Sequence, residues 1–540
     1  MLRLFSLLFF CVMSFNASTA VSETQDNSVL PSLVEQLPTI KLIKMAPLIE
    51  KIAATSAPMV RDILQPLMSG DLYYLKSNKK VVVARRNQQK QYQLTDPLTA
   101  EVLPTVNKSA IKKVRTNNRL RGQIRDLLAN LDLTSKDKSL RIAALNQLLQ
   151  NPNQVGINSV TNLIKGEHDQ DVRELMSVIL LIEQMETGSI TEKLAAAKQL
   201  SGRLEPTVKN VLVKQLSLLD KQEDTAELRD VLTQSIGSIE QQASVYGLVE
   251  NLFFGLSLGS VLLLSAIGLA ITFGVMGVIN MAHGEMMMLG AYTTYVIQQM
   301  FPNLIEYSLL MAVPAAFLVS GFVGVLIERG VIRFLKGRPL ETLLATFGIS
   351  LILQQLVRTV FSPLNRQVEA PQWMSGSLEI NPMLSLTYNR LYIILFALMV
   401  FFSLLMILKK SSLGLHVRAV SQNRDMARAL SIKSSWVDAI TFGLGSGIAG
   451  IAGVALSQLT NVGPNLGQAY IIDSFLVVVF GGVGNLWGTL VAAMTMGTFN
   501  KFLEPSMGPV LANIIVLVGL VLFIQKRPKG LFPQKGRAAE

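Results

Sequence analysis

The stretch Gly443-Leu-Gly-Ser-Gly-Ile-Ala-Gly-Ile-Ala-Gly-Val-Ala-Leu-Ser457 decides the fold. It lies inside an apolar run of membrane length, residues 436–458, and is almost a ribbon of small and apolar side chains. Small residues let helix backbones approach closely in a bilayer. The spacing of Gly443 and Gly447 recurs as Gly255-x-x-x-Gly259 and Gly484-x-x-x-Gly488. Gly481 and Gly482, in Phe480-Gly-Gly-Val-Gly-Asn485, join them as helix-packing candidates. Each motif is weak alone. Their density predicts a tightly packed helical bundle, open to pairing with a related subunit.

Outward from this stretch, further apolar runs cover residues 250–272, 284–301, 307–328, 341–361, 389–408, 470–484, 486–502 and 508–525. The predicted fold class is all-α, a membrane bundle of about eight or nine spans, some of them short or broken. The runs 470–484 and 486–502 are short and glycine-interrupted. Gly274-Val-Met-Gly-Val-Ile-Asn-Met-Ala-His-Gly284, which joins the first two runs, is also punctuated by glycine. Irregular backbone at membrane depth is tolerated only where it lines a cavity or packs in protein. These stretches are therefore candidates for a translocation path.

Of the 540 residues, 50% are hydrophobic and only 16% charged, which excludes a purely soluble chain. The net charge of +12 does not point to nucleic acid. Much of the excess sits at the ends of apolar runs, and no groove-reading or aromatic-interleaved basic motif accompanies it. Arg329, Arg333, Lys336 and Arg338 cluster after the third run. Lys409, Lys410, Arg418, Arg424, Arg428 and Lys433 follow the fifth, and Lys526, Arg527 and Lys529 the last. The intervening loops 302–306, 362–388 and 459–469 are poor in Lys and Arg. The positive-inside rule puts the clusters in the cytoplasm and starts the first span outside.

The first twenty residues have one early positive charge, a short apolar core, and small residues at Ser18 and Ala20. They read as a signal peptide cleaved after Ala20, with an uncleaved signal anchor as the alternative. The single cysteine, Cys11, lies within them, so neither a disulfide framework nor a thiolate metal site is expected. The predicted division is a signal peptide at 1–20, a periplasmic helical domain at 21–245, a transmembrane domain at 246–530 and a cytoplasmic tail at 531–540.

Within 21–245, Leu140–Leu149, Asp171–Ile182 and Lys193–Leu200 carry apolar residues at helical spacing. They predict a HEAT-like stack or a plain helical bundle. Leu72-Tyr-Tyr-Leu75 and Val81-Val-Val83, separated by Lys76-Ser-Asn-Lys79, predict a small β-hairpin inserted in it. Tyr73 and Tyr74 read as packing residues of that hairpin, and His168 as a solvated loop histidine. No Ser/His/Asp set, carboxylate pair or metal-spaced histidine appears, so catalysis, metal and cofactor are not expected.

His283 and Glu285 flank Gly284 at the start of the second run. Ionisable groups inside a membrane are costly and are functional suspects. At the cytoplasmic surface the cost vanishes, and a structural or interfacial role is the plainer expectation, with solute contact as the alternative. Asn280, Thr346, Ser350 and Asn461 complete the set of candidate solute-path residues with His283 and Glu285.

The loop Gly414–Ile432 is long enough for several helical turns. As one helix it places Ala419, Asn423, Met426, Ala427 and Leu430 on a stripe and Arg424 and Arg428 on another face. A helix resting on anionic lipid is one reading. The small-residue face, with one Met and no aromatic, fits a protein groove better.

Together these motifs resemble the permease subunits of bacterial branched-chain-amino-acid-type ABC importers. The resemblance covers about residues 250–530. It rests on Gly255–Ser260, on Gly274–Glu285 continuing to Met288-Leu-Gly-Ala-Tyr292, on Gly414–Ile432 and on Phe480–Asn485. It implies a coupling helix at Arg418, Ala419, Gln422, Asn423, Met426, Ala427 and Leu430. Gln422 stands where amino-acid permeases tend to have an acidic residue, and Ser-Gln-Asn-Arg-x-Met-Ala is more similar to the urea branch. An exported helical domain before the first span, with Asp71–Ser77 and Thr116–Arg121, also resembles the urea permease B subunit. The resemblance implies a second homologous permease, two ABC ATPase subunits and a periplasmic solute-binding protein. The expected function is ATP-driven import of urea or a close small amide through the bacterial inner membrane, by a subunit without chemistry of its own. No Gly-x-x-x-x-Gly-Lys-Ser/Thr loop is present to hold ATP. A branched-chain amino acid permease and a passive urea channel with an accessory external domain are the alternatives.

Overall fold

The computed structural model describes residues 29–40, 42–55, 59–86, 91–150, 152, 154–219 and 225–532. The expected signal peptide, and the tail from residue 533, lie outside the described residues. The chain forms two compact units, Met1–Ile239 and Glu240–Glu540.

The first unit opens with three helices, α1 (Leu30–Val34), α2 (Met45–Ala54) and α3 (Val60–Ser69). Five antiparallel strands follow: β1 (Leu72–Leu75), β2 (Val81–Arg86), β3 (Tyr92–Thr95), β4 (Val102–Val106) and β5 (Ile111–Lys113). Their order in the sheet is β4-β3-β2-β1-β5. The predicted hairpin of β1 and β2 is present and is part of a five-stranded sheet. The other three strands are three to five residues long, and Pro104 on the edge strand β4 hides the strand pattern. Alternation in β2 divides two small cores. Val81 and Val83 face Ile49, Ile63, Leu67 and Ile124, while Val82 and Ala84 face Leu94 and Ile111. Tyr73 packs against Tyr92 with ring centroids 5.8 Å apart.

Six helices complete the unit: α4 (Asn118–Asp132), α5 (Lys138–Gln150), α6 (Gln154–Leu163), α7 (Gln170–Thr187), α8 (Ile190–Leu200) and α9 (Pro206–Leu218). Side-chain caps start three of them. Asn117 accepts from the Leu120 amide, Asp169 from Asp171 and Val172, and Ser189 forms a capping box with Glu192. The main contacts join near neighbours, α4 with α5, α5 and α6 with α7, and α7 with α8 and α9. Such local contacts characterise a helical stack.

The second unit is a helical membrane bundle. Its helices are α10 (Ala226–Met276, begun in the first unit), α11 (His283–Met300), α12 (Ser308–Gly330), α13 (Pro339–Phe361) and α14 (Tyr388–Lys410). Two short helices, α15 (Ser412–Gln422) and α16 (Arg424–Ala429), lead to α17 (Ser434–Ser457), α18 (Leu466–Gly481) and α19 (Leu486–Lys526). Among the described residues, six of these helices are long and apolar enough to cross a membrane, and α18 is a shorter apolar helix. The expected runs 486–502 and 508–525 are the two halves of α19, broken at Gly508 (φ 78°) between Pro505 and Pro509. A two-stranded ribbon, Ser377–Asn381 with Leu384–Thr387, precedes α14.

Helix α17 is buried almost throughout from Phe442 to Ser457, whereas α12, α13, α14 and α19 expose large apolar side chains, as lipid-facing helices do. Lipid tails are as apolar as Leu, so close backbone contact holds such helices together. A Cβ on Gly290 of α11 would overlap the Gly450 carbonyl of α17, and one on Gly453 the Met287 carbonyl. Gly255 and Gly259 close onto α19 at Thr498 and Met494, Gly443 and Gly447 onto α12, and Gly481 onto Gly488. Gly482 (φ 102°) and Gly484 (φ 78°) belong instead to the α18–α19 turn, where their positive φ is the requirement.

Candidate functional site

Helix α10 stops at Met276, and Gly277 (φ 68°) turns the chain into an irregular segment before α11. Val278, Asn280 and Ala282 of that segment are buried. Its amides must therefore find partners inside the protein. Asn280 Oδ1 accepts from the Ala282 amide at 3.0 Å, and Thr346 Oγ1 from the Met281 amide at 3.1 Å.

Thr346 belongs to a polar line on α13. Thr342, Thr346, Ser350 and Gln354 recur every four residues and are all buried, on a helix whose other faces expose Leu344, Phe347, Leu351 and Leu356. This line meets Glu285 in the first turn of α11. Ser350 Oγ donates to Glu285 Oε1 at 2.9 Å and Gln354 Nε2 to the same oxygen at 2.7 Å. Glu285 Oε2 and Asn280 Nδ2 are buried without a hydrogen-bond partner. A buried polar atom left unpaired costs about 1–3 kcal/mol, so these two atoms carry unused acceptor and donor capacity.

The structure thus joins Glu285 to Ser350 and Gln354, and Thr346 to the Met281 amide next to Asn280; Thr342 and Gln354, on the same face of α13, were missed by the sequence reading. Their four-residue spacing in an apolar helix is the signal that finds them. His283 lies apart from this cluster. Its Nε2 is 2.9 Å from the Ser265 carbonyl of α10, next to the Ser265–Ser474 hydroxyl pair. Asn461 is exposed in the turn after α17 and takes no part. Both His283 and Glu285 are buried inside the bundle, 0% and 1% exposed. Among the described residues no group of three or more metal-ligating side chains forms.

The connection between α14 and α17 is two helices, not the expected one. Asn423 is extended (φ −148°, ψ 105°), and its side chain caps α16 by accepting from the Met426 amide at 2.9 Å. The break rotates the stripe read from a single helix. Ala427 turns inward and is 2% exposed, packed into the bundle core with Val417 and Val420. Leu415, Met426 and Leu430 face outward, with Gln422 and Asn423 also exposed and Ala419 half-buried. Arg418 donates to the Leu408 carbonyl. A cavity of about 480 Å³ lies beside α15, lined by Val275, Lys409, Val417, Arg418, Gln422 and Trp487 among others.

Arg424 and Arg428 fasten α16. Arg424 grips Asp438 of α17 with both terminal nitrogens, at 2.7 and 3.2 Å, and reaches the Val275 carbonyl at 3.4 Å. Lys336 pairs with the same carboxylate. Arg428 Nε donates to Ser434 Oγ at 3.0 Å. Asp438, fully buried, was not singled out from the sequence, although it is an acid near the start of the apolar run 436–458.

Among curated proteins, the high-affinity branched-chain amino acid transport system permease protein BraD of Pseudomonas aeruginosa is 28% identical over 297 residues. That alignment takes in 53% of this chain and 96% of BraD. Permease protein LivH of Salmonella typhimurium is 28% identical over 301 residues, 52% of this chain and 94% of LivH. A more distant match, the ribose import permease protein RbsC of Bacillus subtilis, is 29% identical over 131 residues, 23% of this chain and 40% of RbsC. No solved structure matches the chain. Residues 251–524, which hold α11 to α18 with most of their flanking helices, match the family described as branched-chain amino acid transport system, permease component. The chain belongs to that family and is a multi-pass membrane transport permease.

Proposed function

We propose that this permease is a subunit of an ATP-driven importer that moves urea, or a close small amide, from periplasm to cytoplasm. Residues 21–245 form its exported domain and residues 246–530 its membrane domain. Separate ATPase subunits dock on α15 and α16, a second homologous permease completes the bundle, and a periplasmic binding protein delivers the solute. The observation that carries this reading is the α15–α16 pair. Two short helices between membrane helices expose Leu415, Met426 and Leu430 where the charge pattern predicts cytoplasm. An apolar surface away from lipid suits a protein groove.

The polar cluster at Glu285 is the proposed solute contact. A neutral amide offers N–H donors to the Glu285 carboxylate and a carbonyl to Asn280 Nδ2. Urea is favoured by Ser-Gln-Asn-Arg-x-Met-Ala at residues 421–427 and by the domain preceding the first membrane helix. The names of BraD and LivH favour a second reading, import of branched-chain amino acids, in which Glu285 faces an α-ammonium group. Labelled-urea uptake in a deletion strain, with leucine as competitor, separates the two. Urea uptake that disappears with the gene and ignores leucine supports the first. Leucine uptake that disappears while urea uptake persists supports the second.

A further inference from the structure

We infer that Asp438 is the joint that passes movement of α15 and α16 to both walls of the polar cluster, so that Asp438, Arg424 and Lys336 are positioning residues for transport. The inference rests on the proposed docking of ATPase subunits at α15 and α16. Three segments converge on this carboxylate. Asp438 sits in the second turn of α17, Arg424 opens α16, and Lys336 lies in the connection between α12 and α13. Arg424 adds a fourth segment through the Val275 carbonyl at the end of α10.

From this joint two rigid routes lead to the solute cluster. Helix α17 closes onto α11 at Gly450–Gly290 and Gly453–Met287, where even a methyl group has no room. Helix α11 carries Glu285. Lys336 stands three residues before α13, which carries Thr342, Thr346, Ser350 and Gln354. One wall of the cluster is therefore tied to Asp438 through α17, and the other through Lys336. The end of α10, from which the irregular segment with Asn280 departs, is tied through Arg424.

The chemistry of the joint makes it stiff. The Asp438 carboxylate is buried and is held by a bidentate guanidinium and an ammonium, both partly buried. Pulling either cation away removes part of the attraction that offsets the cost of burying the carboxylate. Moving α16 must therefore carry α17 and Lys336 with it, which is what transmission of force needs. An ion pair that only fixes the fold would not affect how much solute moves for each ATP hydrolysed. Proximity alone does not establish coupling, so the test is energetic.

The test uses the full transport complex, purified through a tag on this chain and reconstituted in liposomes, with labelled urea and labelled leucine as alternative solutes. Asp438→Asn keeps the shape and removes the charge, Asp438→Glu keeps the charge and shifts it, and Lys336→Met releases one cation. Complex yield, ATP hydrolysis and solute uptake are measured for each. The expected result is a fall of tenfold or more in solute moved per ATP for Asp438→Asn, with a smaller fall for Asp438→Glu and Lys336→Met, in complexes that assemble. Unchanged solute per ATP overturns the inference. So does failure of all three variants to assemble, which assigns the ion pair to folding alone. Uptake by the unaltered chain that needs no ATP defeats the docking proposal instead, and that is seen before any variant is made.

Discussion

At the scale of single residues, the polar cluster turns on Glu285. Its Oε1 already takes two hydrogen bonds, so replacing it with a group that cannot accept them leaves the Ser350 hydroxyl without its acceptor and Gln354 Nε2 with only the 3.3 Å bond to Ser350. Each unpaired buried group costs about 1–3 kcal/mol. Glu285→Leu is therefore expected to lower the thermal midpoint of the purified protein and its membrane yield. Glu285→Gln keeps an acceptor and is expected to fold normally while raising the KM for uptake about tenfold, the scale of one lost charge-assisted hydrogen bond. An unchanged KM in a well-folded Glu285→Gln protein would remove Glu285 from the solute path. The same scale governs the seam of α11 and α17. Gly290→Val has no space for its side chain and is expected to lose folded protein, measured as monodisperse yield in detergent, whereas Gly330→Ala, where a Cβ meets nothing, is expected to be neutral.

At the scale of elements, the break at Asn423 separates residues that fasten the docking helices from residues that face outward. Met426→Asp and Leu430→Asp change 59% and 70% exposed side chains, so they are expected to spare folding and weaken ATPase attachment at least tenfold in a pull-down titration. Ala427→Asp puts a charge into the bundle core and is expected to abolish folded protein instead. Equal loss of folding in all three would show that the exposed stripe has no separate role. In the first unit, Lys80 reaches across from the start of β2 to Asp96 at the end of β3, 2.6 Å away. Burial pushes the Asp96 carboxyl up, but the Lys80 hydrogen bond and the Leu98 and Thr99 amides outweigh it and hold it below the ordinary value of 3.8. A carboxylate with a depressed pKa stabilises the fold above its unfolded value and loses that contribution as pH falls through the folded one. Asp96→Asn is thus expected to lower the melting temperature of the first unit at neutral pH, with the gap to the unaltered protein closing below about pH 4. A gap that does not narrow at all as the pH falls below about 4 would assign the effect to packing.

At the scale of the whole molecule, the family match covers residues 251–524 and leaves the first unit outside it. If that unit receives the binding protein or the partner permease, removing residues 21–240 while keeping an export signal raises the KM for uptake without abolishing insertion of the bundle. Uptake kinetics identical to those of the full chain would make the unit a platform without a role in delivery. Much of the membrane architecture is legible in the sequence. The apolar runs fall on α10 to α14 and α17 to α19, because a bilayer requires long apolar helices whatever their neighbours are. The glycine spacing also points to real seams at Gly255, Gly259, Gly443 and Gly447. The five-stranded sheet was not legible beyond its central hairpin, because strands of three to five residues with an edge proline carry too little periodicity.

The sequence by itself determined that the chain crosses a membrane many times, where its tight seams lie, and which connection is built as amphipathic helix. Those properties are local: apolar length, residue size and spacing act on each segment separately. Only the tertiary structure decided that Glu285 meets Ser350 and Gln354 while His283 turns to Ser265, and that Ala427 points inward beside an outward Met426. It alone joined Asp438 to Arg424 and Lys336, 14 and 102 residues away in sequence. A buried ion pair or a shared polar pocket depends on where separate helices cross. The ribbon Gly443–Ser457 fixes that crossing only through the backbones it lets approach.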